Sequence, residues 1–126
     1  MPDMRDKIHI RDLLARCIIG IYPEERENLQ DVYINVTLHA YFGKACLSDD
    51  IVDTVNYKAL KKEILEFVEA SSYNLIEKLA EEIAQICLKY DRVAEVDVTV
   101  DKPGALRFAR SVAVEITRYN DEPLPF

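Results

Sequence analysis

The chain has 126 residues, 49% hydrophobic and 31% charged, with three glycines and five prolines, which is the size and composition of one globular domain able to bury a modest core. Its net charge is −7, from 16 basic and 23 acidic residues, so most of the surface repels a phosphate backbone and nucleic-acid binding is disfavoured. No stretch approaches the roughly 20 apolar residues of a membrane span, and residues 1–12 hold no signal-like apolar segment, which makes the cytoplasm the expected location, with no membrane partner expected.

Residues 7–21 read as one long strand, interrupted or bulged at Asp12. The segment that follows, "GIYPEERENLQDV", is rich in acids with a lone arginine, and reads as a solvated loop. From Asp31 the alternation is strict, with Val32, Ile34, Val36, Leu38 and Ala40 on one face and Tyr33, Asn35, Thr37, His39 and Tyr41 on the other. That period of two defines a half-buried strand. Residues 43–56 read as a polar connection. Two amphipathic helices are expected next. Residues 57–70 carry a stripe of Leu60, Ile64, Phe67 and Val68, and residues 75–90 carry Leu75, Leu79, Ile83, Ile86 and Cys87. The short junction between them implies an antiparallel pair. "VAEVDVTVD" then alternates with Ala94, Val96, Val98 and Val100 inward, and "SVAVEITR" closes the sheet with Val112, Val114 and Ile116. Residues 120–126 read as a tail.

The order strand, strand, helix, helix, strand, strand implies a single α+β domain over residues 1–126, with a core at about 7–119 and both helices on one face of a four-stranded antiparallel sheet. Open sheet edges and a half-polar second face favour association with further copies. Cys17, Cys46 and Cys87 are odd in number, far apart and without a C-x-x-C pair, so reduced thiols in or near the core are expected, not a disulfide framework or a thiolate metal site. His9 and His39 are expected on opposite strand faces, and with two histidines a three-histidine zinc site cannot be built from one chain.

Several residues admit both a structural and a chemical reading. "NLIE" fits a capping box in which Asn74 caps the second helix and Glu77 reaches back to the cap N–H. Alternatively, Glu77 is a helix-start carboxylate that grips a ligand edge carrying two parallel N–H donors, as a pterin or guanine does. Lys102 precedes Pro103-Gly104, a type II turn signal, where a lysine is either solvated or aimed into a pocket. The connection from Pro103 to Arg110 carries Leu106 and Phe108, apolar residues that need a cover. Tyr57 opens the first helix, either packed on the helix pair or stacked on a flat ligand as a proton donor. Glu25 is one of three glutamates in "EERE". No glycine-rich phosphate loop, G-x-S-x-G or H-E-x-x-H is present.

Taken together, "IGIYPEERENLQDVYINVTL", "DDIVDTVNYKAL", "NLIEKLAEEIA" and "VDKPGALRFARSVAVEI" resemble the dihydroneopterin aldolase family from about Lys7 to Tyr119. The resemblance implies the tunnelling fold, in which copies of this unit close into an oligomeric barrel, a tetrameric ring or a stacked octamer. It implies that Glu77 and the Ile76 backbone anchor a pterin ring, and that Tyr57 stacks on it and moves a proton. It further implies that Thr54 and Val55 line the pocket from a neighbouring subunit, Lys102 is catalytic, and Glu25 turns inward toward the substrate side chain. The implied reaction is retro-aldol cleavage of 7,8-dihydroneopterin in folate biosynthesis, with no cofactor, because the ring's own imine takes up the electrons. The dihydroneopterin triphosphate 2′-epimerases are the close alternative, with Arg107 and Arg110 as candidates for the phosphate end. A non-catalytic pterin or purine binder and a purely structural ring protein are the remaining readings.

Overall fold

The computed structural model describes residues 5–120. The elements run β1 (Asp6–Cys17), α1 (Pro23–Glu27), β2 (Gln30–Ala40), α2 (Gly43–Ser48), a single 3₁₀ turn (Ile51–Asp53), α3 (Tyr57–Glu69), α4 (Ile76–Leu88), β3 (Glu95–Pro103) and β4 (Ser111–Tyr119). All four strands form one antiparallel sheet in chain order. α3 packs over β1, and α4 over β3 and β4. This is the expected α+β arrangement.

Strand alternation builds the core. Ile34, Val36 and Leu38 of β2 stand opposite Val100, Val98 and Val96 of β3, and every one of these is buried. On the other side Ile8 and Ile10 meet Leu38 and Val36 until the register shifts, after which Leu13 faces Ile34. The extra residues include Asp12 at φ +53, whose N–H donates to Asn35 Oδ1 at 2.9 Å. The bulge thus keeps β1 apolar toward the helices on both sides of a polar interruption. β1 ends at Cys17, short of the expected Ile21, because Ile19 turns into the core and Gly20 adopts φ +128. Against the inner face lie Leu60, Ile64 and Val68 of α3, and Leu79, Ala80, Ile83, Ala84 and Cys87 of α4. Burying one such aliphatic side chain contributes about 1.5–3 kcal/mol.

Local structure departs from the sequence reading at several points. Residues 43–56 are not a plain connection: α2 and the 3₁₀ turn are tied together by Asp53, which accepts from Ser48 Oγ at 2.6 Å and pairs with Lys44 at 3.3 Å. The acidic loop contains α1, because Pro23 at its first turn presets the helical φ. α4 starts after Leu75, which is exposed and not part of the buried stripe. Ala94 precedes β3, and Val112, Val114 and Ile116 are only half-covered because β4 is an edge. Cys46 is exposed, unlike Cys17 and Cys87. Asn120 is not tail, since its backbone N–H donates to the Ala94 carbonyl at 2.9 Å; residues 121–126 lie outside the described residues. The two histidines share one face, since His9 stands opposite Thr37 in the ladder and His39 lies two residues further along β2. His39 is buried there against Asp97 at 2.7 Å.

Candidate active site

β3 carries its buried parity one step beyond the valines, so Lys102 points to the helix side and is only 9% exposed. A buried amine requires a counter-charge, and Glu25 supplies it, with Oε2 at 2.5 Å from Lys102 Nζ. Glu25 is fixed from three further directions. Its Oε1 accepts from the Tyr22 N–H at 3.2 Å. Gln30 Nε2 lies 3.5 Å from Oε2 while donating to the Ile19 carbonyl at 2.7 Å. Gly20 leaves the room: a Cβ there would run into the Glu25 carboxylate. The hydrogen bond from Lys102 holds the Glu25 carboxyl below its usual range, against the opposing pull of burial. Behind the pair lies Cys17, whose thiol is pushed up by burial while a hydrogen bond with the Ser71 side chain and the Lys102 charge act the other way.

Cys17 and Ser71 place this ion pair at the junction between α3 and α4. Ile76 and Glu77 belong to the first turn of α4, at the same end of the helix pair. Glu77 is not a cap. The cap position is Leu75, one residue later than expected, and no side chain caps the helix. Glu77 is exposed and has no hydrogen-bond or ion-pair partner among the described residues. A first-turn carboxylate is favoured there by the helix dipole and remains free to accept from a ligand.

Tyr57, Thr54 and Val55 lie elsewhere. Tyr57 opens α3 behind the Asn56 cap, which accepts from the Ala59 N–H at 3.1 Å. The phenol is 58% exposed and not packed on the helix pair as one reading held. Thr54, Val55 and Asn56 line a groove of about 480 Å³ together with Val52, Tyr90 and Arg92. α3 is 13 residues long, so its start is separated from the Ser71 junction by about 20 Å. Within one chain the structure therefore brings Glu25, Lys102 and the start of α4 to one end, and leaves Tyr57, Thr54 and Val55 at the other. Leu106 and Phe108 are exposed in the β3–β4 connection; Phe108 sits at φ +68 with the Arg107 guanidinium 5.4 Å from its ring centre. Gly20, Gln30 and Ser71 did not stand out in the sequence, and Cys17 stood out only as a reduced thiol in or near the core. A glycine preceding an acidic turn was the one available signal.

An antiparallel four-stranded sheet backed by two helices is the tunnelling fold, and here it carries a part-buried amine–carboxylate pair beside a helix start with no side-chain cap. A family model described as FolB: Dihydroneopterin aldolase matches residues 8–117, and the chain belongs to that family. A dihydroneopterin triphosphate 2′-epimerase of Escherichia coli K12 is 40% identical over 110 residues, covering 87% of this chain and 92% of that protein. A dihydroneopterin aldolase of Streptomyces coelicolor is 41% identical over 100 residues, covering 79% of this chain and 84% of that protein. A folic acid synthesis protein of Dictyostelium discoideum is 40% identical over 92% of this chain, which spans only 18% of that longer protein. The crystal structure of E. coli dihydroneopterin aldolase in complex with neopterin superposes with a TM-score of 0.86 at 30% identity, covering 90% of this chain and 98% of that one.

Proposed function

We propose that the chain cleaves 7,8-dihydroneopterin by a retro-aldol reaction to 6-hydroxymethyl-7,8-dihydropterin and glycolaldehyde, in sites assembled between copies of itself. The observation that carries this reading is the buried Lys102 amine, paired with the half-buried Glu25, at the same end of the molecule as the Glu77 carboxylate, which has no partner among the described residues. Glu77 accepts from the two parallel N–H donors of the pterin edge, with the Ile76 backbone beside it. The ring then extends toward Lys102. With one ammonium proton passed to the Glu25 carboxylate, the neutral Lys102 amine accepts the 2′-hydroxyl proton as the C1′–C2′ bond breaks and glycolaldehyde leaves. The bond's electron pair passes into the N5=C6 imine of the dihydropterin, giving an enol-like intermediate. Tyr57 returns a proton to C1′. Poised acid–base groups of this kind contribute about 10²–10⁴-fold each.

Tyr57, Thr54 and Val55 come from the neighbouring copy in this reading. The length of α3 supports that assignment, because Tyr57 lies a full helix away from Lys102 in its own chain. Mixing Lys102→Ala chains with Tyr57→Phe chains tests it. Co-assembled sites holding both native residues regain activity, whereas sites built within one chain stay dead.

The second reading is 2′-epimerisation of the triphosphate, in which the same bond is broken and re-formed on the other face. Kinship with proteins of that name, and Arg107 and Arg110 in the exposed β3–β4 connection, favour it. Incubation with dihydroneopterin and with its triphosphate, each with and without a chelator, separates the two. Release of glycolaldehyde from dihydroneopterin supports cleavage. Inversion of the triphosphate without aldehyde release replaces it. Binding without turnover of either leaves a pterin-binding protein.

A further inference from the structure

Beside Glu25 stands Arg26, the lone arginine of the acidic segment. No carboxylate pairs with it among the described residues, although 23 acids are available in the chain. Its guanidinium instead spans three backbone carbonyls in two distant segments. Nη1 donates to the Gly20 carbonyl at 3.0 Å and to the Tyr73 carbonyl at 3.1 Å, and Nη2 donates to the Ser72 carbonyl at 2.6 Å. The Gly20 N–H adds a direct bond to the Tyr73 carbonyl at 3.3 Å. A planar guanidinium can serve three fixed acceptors at once, which a rotating ammonium on a flexible stem cannot do with the same rigidity.

We propose that Arg26 is a positioning residue that sets the distance between the Glu25–Lys102 pair and the start of α4, and so aligns the reacting carbon of a bound pterin with Lys102. The inference rests on the reading of the site given above. An arginine bound to loop carbonyls is commonly a plain brace, but here both braced segments carry the site. Gly20 borders the Glu25 carboxylate, and Ser72 and Tyr73 lead directly into the turn that bears Glu77. Neither segment is fixed by its own helix. α1 has five residues, far too few to be stable alone, and α4 has no side-chain cap to define where it begins. Beside the one Gly20–Tyr73 backbone bond, the ring-gripping carboxylate and the proton-moving pair are therefore held in register by a side chain that makes three bonds across the gap and touches neither the ring nor the reacting atoms.

Arg26→Lys and Arg26→Ala test this, with Arg16→Ala, which removes a surface pair to Asp31, as the control. Three readouts are compared: steady-state cleavage of 7,8-dihydroneopterin, binding of 6-hydroxymethylpterin, and amide exchange at Gly20. Misplacement by an ångström can cost about 10²-fold, so folded Arg26→Lys loses about 10–10²-fold in kcat while its affinity for the short pterin changes by less than about threefold. Gly20 exchanges faster because its carbonyl and the carbonyl it bonds have lost their shared donor. Methylguanidinium, but not urea, restores part of the Arg26→Ala activity, and Arg16→Ala behaves as wild type. Wild-type kcat and KM in folded Arg26→Lys, or a loss in both variants that only matches the unfolded fraction, overturns the proposal. If the wild-type protein turns over neither dihydroneopterin nor its triphosphate, the reaction assigned above fails instead. Gly20 exchange in Arg26→Lys then decides the brace alone: faster exchange supports it and unchanged exchange rejects it.

Discussion

The two ends of α3 are built on different principles. At its C-terminal end Glu25 pairs with Lys102 and Gln30, while Arg26 ties the Gly20 carbonyl to those of Ser72 and Tyr73 at the helix junction. At its N-terminal end, Tyr57, Ile51 and Val52 are exposed beside an open groove. Internal bonding makes the first end rigid in a single chain. The second presents apolar and aromatic surface to solvent, the kind of patch that marks an interaction face. The lesson is that charge must be compensated within the fold, because a buried lysine without a partner is too costly, whereas a solvent-exposed phenol needs no compensation.

The sharpest break in the comparison comes from Lys102→Ala. Cleavage should fall by about 10²–10⁴-fold while pterin binding persists, as shown by kcat set beside a direct binding titration. Lost binding with the loss of turnover would make the lysine an anchor and not a proton carrier. Next comes Gly20→Ala. Its φ of +128 disfavours a side chain, and the added methyl displaces the Glu25 carboxylate from Lys102. A shift of that kind should lower kcat by about 10²-fold with the pterin edge still held.

Glu77→Ala sharpens the other side of the same end. Each charge-assisted hydrogen bond is worth about 1.5–3 kcal/mol, so losing the pair should lower calorimetric pterin affinity by at least about 10²-fold. Stability should stay within about 0.5 kcal/mol, since the carboxylate caps nothing. A smaller contrast separates the two helix starts. Asn56→Ala removes a real cap from α3 and should cost about 1 kcal/mol in urea unfolding, while Asn74→Ala, outside the cap position of α4, should cost less than half of that. Smallest is the acid effect. The carboxyl of Glu25 titrates below its reference value of 4.5 in the folded chain. The ion pair therefore stabilises the fold at and above that pH, and its contribution fades as pH falls through the lower native value. Unfolding curves of wild type and Glu25→Gln should converge below pH 4.5 and separate above it.

Element order, strand parity and helix stripes were legible in the chain because burial acts locally at periods of two and 3.6. Val32 to Ala40 and Leu60 to Val68 are unambiguous on that ground. The Asp12 bulge was visible because a charge interrupted an apolar strand. Roles for Glu25, Glu77 and Lys102 were settled on by family resemblance, since position alone left Glu77 an equally good capping reading and Glu25 and Lys102 ordinary solvated ones.

What periodicity cannot carry is decided by contacts between distant residues. The capping box in "NLIE" was a sound local reading that lost because the chain stays extended through Leu75, where the junction is held by Arg26 from 46 residues away. His9 and His39 were assigned to opposite faces because the bulge and ladder register fix faces, and neither is local. The sequence by itself determined which residues go inside and in what order the elements follow. The tertiary structure alone determined that a buried amine meets one particular carboxylate of three. That choice depends on a hydrogen-bonded turn, a glycine with no side chain and a counter-charge 77 residues along the chain, none of which leaves a periodic trace.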